Sequence, residues 1–122
     1  MNDASGNRSV RNPQDLARQL VFREQAGDVE GMATLYERDA ILDIGDGHVV
    51  RGRDAIQAFY ADLVATGRRF ELAAQREAIV NGDLALTSTR LPDGTVTAEV
   101  ARRQADGTWL WAIDQPAIAP YP

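Results

Sequence analysis

The chain has 122 residues, no cysteine, 44% hydrophobic and 25% charged content, which describes one globular domain with one core and leaves no room for a second. Its 13 basic and 18 acidic side chains leave a net charge of −5, so the surface repels phosphate backbones and anionic lipid, and neither nucleic acid nor a membrane is an expected partner. The missing thiols exclude disulfide scaffolds, thiolate zinc sites and cysteine nucleophiles.

Met1 to Arg11 carries little to bury and no apolar h-region, so it reads as a mobile, dispensable tail and not as a secretory signal. No later apolar run approaches membrane-spanning length, and a cytoplasmic protein is the expectation. Ordered structure is expected over residues 12–118, with 119–122 as a C-terminal tail. Asn12 can accept from the first free N–H groups of a helix, and Pro13 fits its first position. Leu16, Leu20 and Val21 form that helix's apolar stripe, and Gly27 ends it. Asp28 can cap a second short helix in which Val29, Met32, Leu35 and Tyr36 recur at helical spacing. Ala40 to Ile44 and His48 to Val50 are short β-type runs around Gly45-Asp46-Gly47, a tight-turn signal. After Gly52 a third helix places Ile56, Phe59, Tyr60, Leu63 and Val64 on one face and stops at Gly67.

The second half reads as strand after strand. Phe70 to Val80 meets Leu84 to Leu91 across Asn81-Gly82, Pro92-Asp93-Gly94 turns into Thr95 to Arg103, and Ala105-Asp106-Gly107 turns into Thr108 to Ile118. The fold class is therefore α+β, an antiparallel sheet with helices on one face. Period-two alternation in the last strand puts Leu110, Ala112, Asp114 and Pro116 on one face and Trp109, Trp111, Ile113 and Gln115 on the other.

Several segments resemble one family: Ala26-Gly27-Asp28, Leu35-Tyr36-Glu37-Arg38-Asp39-Ala40, Val50-Arg51-Gly52-Arg53-Asp54-Ala55-Ile56 and Asp106-Gly107-Thr108-Trp109. They are similar to the nuclear transport factor 2-like superfamily, which includes ketosteroid isomerases and SnoaL-like polyketide cyclases. The resemblance spans nearly all of Pro13 to Ile118. It implies a cystatin-like cone, a curved antiparallel sheet wrapped around the three helices with an apolar pocket at one end. The fold hosts isomerases, cyclases, dehydratases, epoxide hydrolases and non-catalytic binders, so it fixes no activity. Carried over residue by residue, the isomerases' oxyanion tyrosine falls on Leu20. Their late-strand acid falls on about Val100, with Glu99 one residue away on the opposite face, and their base falls on Ile44 or, with a shifted register, Asp43. Tyr36 and Tyr60 match supporting tyrosines. The resemblance to the cyclases falls on Asp114, whose counterpart is a general acid or base, whereas their second residue, a histidine, has no counterpart here.

If the register follows the family, Asp114 faces the pocket among Leu110 and Ala112, where desolvation raises its pKa toward the range useful for proton transfer. The structural alternative is an ion pair with Arg90 or Arg102, or a hydrogen bond to Tyr36 or Tyr60. Asp43, Asp46 and His48 could suggest a metal site, but Asp and Gly at this spacing are what a hairpin turn uses, and no metal is assigned. Arg51, Arg53, Arg68 and Arg69 read as solvated partners of Asp54, Asp62 and Glu71.

The expected function is cofactor-free acid–base catalysis (isomerase, cyclase or dehydratase type) on a small apolar carbonyl compound. Asp114 is the proton carrier, Asp43 the second candidate, and Tyr36 and Tyr60 the hydrogen-bond donors. Leu20, Leu42, Ile44, Phe59, Val100 and Ala112 form the apolar wall. The alternative is a non-catalytic ligand-binding or association domain, separated from the first by whether an open cavity surrounds Asp114. The strip Trp109, Trp111 and Ile113 on the outer sheet face predicts a homodimer.

Overall fold

Residues 9–118 are described by a computed structural model of the chain. Residues 1–8 and 119–122, most of the two expected tails, lie outside the described residues. Order reaches further toward the N-terminus than expected. Val10 is buried in the core, and its carbonyl accepts from the Trp109 N–H at 2.7 Å. Burial of this β-branched side chain, in a stretch that is mostly polar, holds the segment against the core.

A 3-10 turn over Pro13–Asp15 leads into α1 (Leu16–Gln25), with Asn12 accepting from the Gln14 N–H at 3.0 Å. Asp28 caps α2 (Val29–Ala33) through the Gly31 N–H at 2.9 Å. The helical spacing that reaches Tyr36 does not carry the helix there: the chain turns at Thr34, and Tyr36 opens β1 (Tyr36–Gly45). β2 (His48–Arg51) follows across Asp46 and Gly47, both with positive φ (56° and 76°), the twist that a two-residue hairpin requires. α3 (Arg53–Ala65) is then the longest helix, burying Ile56 and Tyr60.

The remaining strands are β3 (Ala74–Gln75), β4 (Ile79–Asn81), β5 (Leu84–Thr87), β6 (Thr89–Arg90), β7 (Val96–Arg103) and β8 (Trp109–Ile118). The long strand expected from Phe70 is thus broken into β3 and β4. The turn before β5 is Gly82-Asp83, one residue later than expected, because Asn81 pairs with Leu84. The sheet runs β2-β1-β8-β7-β5-β4, with β6 bridging β7 and β3. Every pairing is antiparallel except β1 with β8, which run parallel. The expectation of a wholly antiparallel sheet is corrected there. A parallel neighbour needs a long crossover, and the chain between β1 and β8 supplies it.

Register decides which side chains meet. Thr87, Glu99, Asp114, Leu42 and Val50 lie side by side across five strands on the helix-covered face. On the opposite, outer face the corresponding row is Ile79, Leu86, Val100, Ile113 and Ile41. Along β8 the alternation is interrupted: Val100 faces Ile113 but Ala101 faces Trp111, so Ala112 is an extra residue in a β-bulge. The bulge resets the phase and turns both Trp111 and Asp114 inward.

That corrects the expected exposure of the tryptophans. Trp109 and Trp111 are 5% and 1% exposed, packed in the core with Leu16, Met32, Leu35 and Tyr36, whereas Ile113 is 51% exposed. Ala112, expected in the pocket wall, sits at the bulge instead, and Val100 belongs to the outer row.

Candidate active site

Between the helices and the inner sheet face lies an open cavity of about 610 Å³, a size that admits a small organic ligand. Leu20 of α1, Phe59 and Leu63 of α3, Leu42 of β1 and Trp111 of β8 supply its apolar wall, and Ile44 stands at its edge, 43% exposed. Of the expected wall, Leu20, Leu42, Ile44 and Phe59 are present, and Val100 and Ala112 are absent from the lining.

Asp114 and Glu99 are the carboxyls on the buried part of this wall, 3% and 5% exposed. The Tyr36 hydroxyl donates to Asp114 Oδ2 at 2.5 Å and lies 2.6 Å from the Tyr60 hydroxyl. Tyr36 has one hydroxyl proton, so when it donates to Asp114 it must accept from Tyr60, giving a relay from Tyr60 through Tyr36 to the carboxyl. Tyr60 lines the cavity, while Tyr36 stands one layer behind, fully buried against Trp111 with ring centroids 5.3 Å apart. Asp114 Oδ1 accepts from no donor among the described residues.

Of the structural alternatives for Asp114, the ion pair is not formed, since Arg102 pairs with Glu37 at 2.9 Å and neither it nor Arg90 reaches Asp114 among the described residues, whereas the hydrogen bond to Tyr36 is present. Arg53, expected to be solvated, donates twice to the Tyr36 carbonyl, at 3.0 and 2.6 Å, and so anchors the start of β1. Asp43 is half-buried and pairs with Val49, the face opposite Leu42 and Asp114. Its Oδ1 accepts from the Gly45 N–H at 2.9 Å and its Oδ2 faces the Gln115 amide at 3.4 Å. Asp43 therefore shapes the turn at the cavity's edge and does not reach the floor. His48 is exposed, and among the described residues no group of three or more His, Asp or Glu is placed to hold a metal ion.

Residues 17–120 match the family model described as a SnoaL-like domain. The chain belongs to the SnoaL-like family. No curated protein matches its sequence. Among solved structures, it is similar to a nuclear transport factor 2-like protein with a cystatin-like fold from Novosphingobium aromaticivorans, at 19% identity over 88% of this chain and 80% of that one, TM-score 0.67. It is also similar to a putative calcium/calmodulin-dependent protein kinase type II association domain from Thiobacillus denitrificans, at 17% identity over 92% and 99%, TM-score 0.73. A Mycobacterium tuberculosis protein of unknown function matches at 23% identity over 83% and 70%, TM-score 0.64. Likeness at these identities establishes the fold, α+β with three helices and a mixed sheet, and nothing of activity.

In this SnoaL-like domain the electrostatics follow from burial. Desolvation, then the neighbouring Glu99 and more weakly Asp43, push the Asp114 carboxyl up to about 8, against the pull of the Tyr36 hydrogen bond. Both tyrosines are pushed well above their ordinary range, chiefly by desolvation and next by the Asp114 charge, so they remain protonated donors. Burial also raises Glu99, opposed by hydroxyl donors on Thr87 and Thr97. A carboxyl held near neutrality beside an open apolar volume can give or take a proton at physiological pH.

Glu99 is the residue that sequence reasoning placed on the wrong side. β7 reads apolar at Val96, Ala98 and Val100 and polar at Thr97 and Glu99, which ordinarily sends the first set inward. Here the polar set faces the cavity, with Thr97 and Glu99 buried and Val100 only partly so. Only pairing with Asp114 could have revealed it, and that register depends on the bulge in β8.

Proposed function

We propose that this SnoaL-like domain is an enzyme of the isomerase, cyclase or dehydratase type that needs no cofactor and moves a proton on a small apolar carbonyl compound. The observation that carries the reading is Asp114: buried, tied to a tyrosine pair through one oxygen, with no donor to the other among the described residues, at the wall of a largely apolar cavity. Near neutral pH Asp114 is largely protonated, so it serves as a general acid toward a carbonyl oxygen. The carboxylate left behind is held by the proton of Tyr36, itself supported by Tyr60. Asp114, Tyr36 and Tyr60 are all buried from bulk water, which strengthens each of these hydrogen bonds.

Exchange of the α-protons of 1-indanone in D2O, followed by proton NMR, tests the reading. The domain should accelerate exchange, and Asp114→Asn should abolish it while 2-naphthol, a stable enol mimic, still quenches Trp111 fluorescence. Binding of 2-naphthol without exchange would leave a passive ligand-binding domain. The domain is also proposed to form a homodimer through its outer sheet face, a reading supported by the apolar row Ile79, Leu86, Val100, Ile113 and Ile41, of which Ile79, Leu86 and Ile113 are exposed.

A further inference from the structure

Glu99 takes no part in the reaction as described so far, yet it is as buried as the groups that do. It stands directly opposite Asp114 on the adjacent strand, on the same face, and both side chains line the cavity. Directly opposed residues of an antiparallel pair place their Cβ atoms about 4.5–5.5 Å apart. Both carboxyls are shielded from water, and the charge of Glu99 disfavours ionisation of Asp114, so the pair holds one proton between them near neutral pH.

Their hydrogen bonds decide where that proton sits. Glu99 Oε1 accepts from the Thr87 hydroxyl at 2.6 Å, and the Trp111 indole N–H donates to that same hydroxyl oxygen at 3.3 Å, which leaves the hydroxyl proton for Glu99. Thr97, two residues away on the same face, adds a weaker hydroxyl pull on the Glu99 carboxyl, while its Oγ1 accepts from the Thr89 N–H at 2.9 Å. The Thr87 donor, with the weaker pull of Thr97, favours the carboxylate form of Glu99. Asp114, at the cavity wall, has one donor, Tyr36, and its Oδ1 accepts from none among the described residues. The proton of the pair therefore belongs to Asp114 and the charge to Glu99.

We propose that Glu99 is a second catalytic group, the base that takes a proton from the carbon beside a ligand's carbonyl while Asp114 gives one to the carbonyl oxygen. The inference rests on the acid–base reading of the cavity and adds the missing base to it. When the C–H bond breaks, its electron pair forms the C=C bond of an enol. The carbonyl π pair moves to oxygen and binds the proton released by Asp114. Glu99 ends protonated and Asp114 ionised, so the pair still holds one proton and the ligand stays neutral. Returning the proton from Glu99 to a different carbon of an extended enol, as Asp114 recovers its own, isomerises the compound. The standing negative charge selects neutral enolisable ketones and enones and disfavours ligands that bring a carboxylate to the same spot.

Two measurements test this. Carbon-13 NMR titration of labelled Glu and Asp carboxyls should show Asp114 titrating lower in Glu99→Gln than in the wild type, because a facing charge has gone. The groups facing the pair are the hydroxyls of Tyr36, Tyr60, Thr87 and Thr97, with the charge of Asp43 acting from the other face of β1, and both chains retain them all. An Asp114 titration unmoved by Glu99→Gln overturns the pair. In 1-indanone exchange, Glu99→Gln should slow the wild-type rate by about 10²–10⁴-fold, with 2-naphthol affinity kept within about threefold. Exchange that survives Glu99→Gln but is lost in Asp114→Asn overturns the role of Glu99 and leaves the acid reading of Asp114 intact. No exchange by the wild type overturns both. If Glu99→Gln does not fold, Glu99→Asp, which withdraws the carboxylate by one methylene, replaces it and should show the same direction of loss.

Discussion

Asp114 makes the domain's stability depend on pH in an unusual direction for an acid. Its pKa is raised from the ordinary 3.8 to about 8 in the folded chain. Between those values the unfolded chain has released a proton that the folded chain keeps, so stability is full below the lower value and falls as pH rises through the higher. Glu99, also raised, adds to the same slope. The melting temperature of the wild type should therefore decline across this window, and Asp114→Asn should flatten the decline. A slope unchanged by Asp114→Asn would contradict the assignment. Tyr36→Phe removes the donor to Asp114 Oδ2 and one partner of Tyr60, with both left in a dry environment. Its expected cost is about 1–3 kcal/mol by chemical denaturation. Because the Tyr36 hydrogen bond holds the Asp114 pKa down, the same variant should raise it further in an NMR titration.

At the scale of elements, local chemistry wrote the helices and the turns. Asn12, Asp28 and the Asp46-Gly47 pair sit where their capping and turn preferences place them. Long-range pairing, by contrast, overrode the strand pattern. A bulge at Ala112 lets β8 keep a tryptophan and an aspartate, three positions apart, on one face. Strict period two cannot do that, since odd spacings fall on opposite faces. The N-terminal segment is another case where local composition misleads. Val10 is one apolar side chain in a polar run, yet its burial and its carbonyl's bond to Trp109 fasten the start of the chain to β8. Truncation through Arg11 should therefore lower the melting temperature, and no change on that truncation would show the packing to be inconsequential.

For the whole molecule, the outer sheet face raises the question of assembly. Ile79, Leu86 and Ile113 are 64%, 46% and 51% exposed within one row that crosses the sheet. Such a contiguous apolar strip is uncommon on a monomer. The inverted polarity of β7 contributes to it, because Val100 goes outward as Glu99 goes inward. A two-fold pairing of this face with a second copy covers the strip on both chains at once. Sedimentation should give a dimer that Ile113→Glu converts to monomer, with the fold intact by circular dichroism. A wild type that sediments as a monomer at micromolar concentration would refute the assembly. Trp111, first expected in that interface, is no test of it, because it is buried beneath the sheet within its own chain.

The sequence by itself determined the order of helices and main strands, the caps that start the helices and the family, because caps, turn residues and helical stripes act over a few neighbours. It also singled out Asp114 and the two tyrosines as polar groups within apolar stretches. What only the tertiary structure decided was the partnering of strands: β1 parallel to β8, the bulge that sends Trp111 inward, Glu99 beside Asp114, and Asp43 turned to the other face. A side chain's face depends on register, and register is a sum over contacts between segments distant in the chain, so a one-residue bulge exchanges the two faces without leaving a local mark.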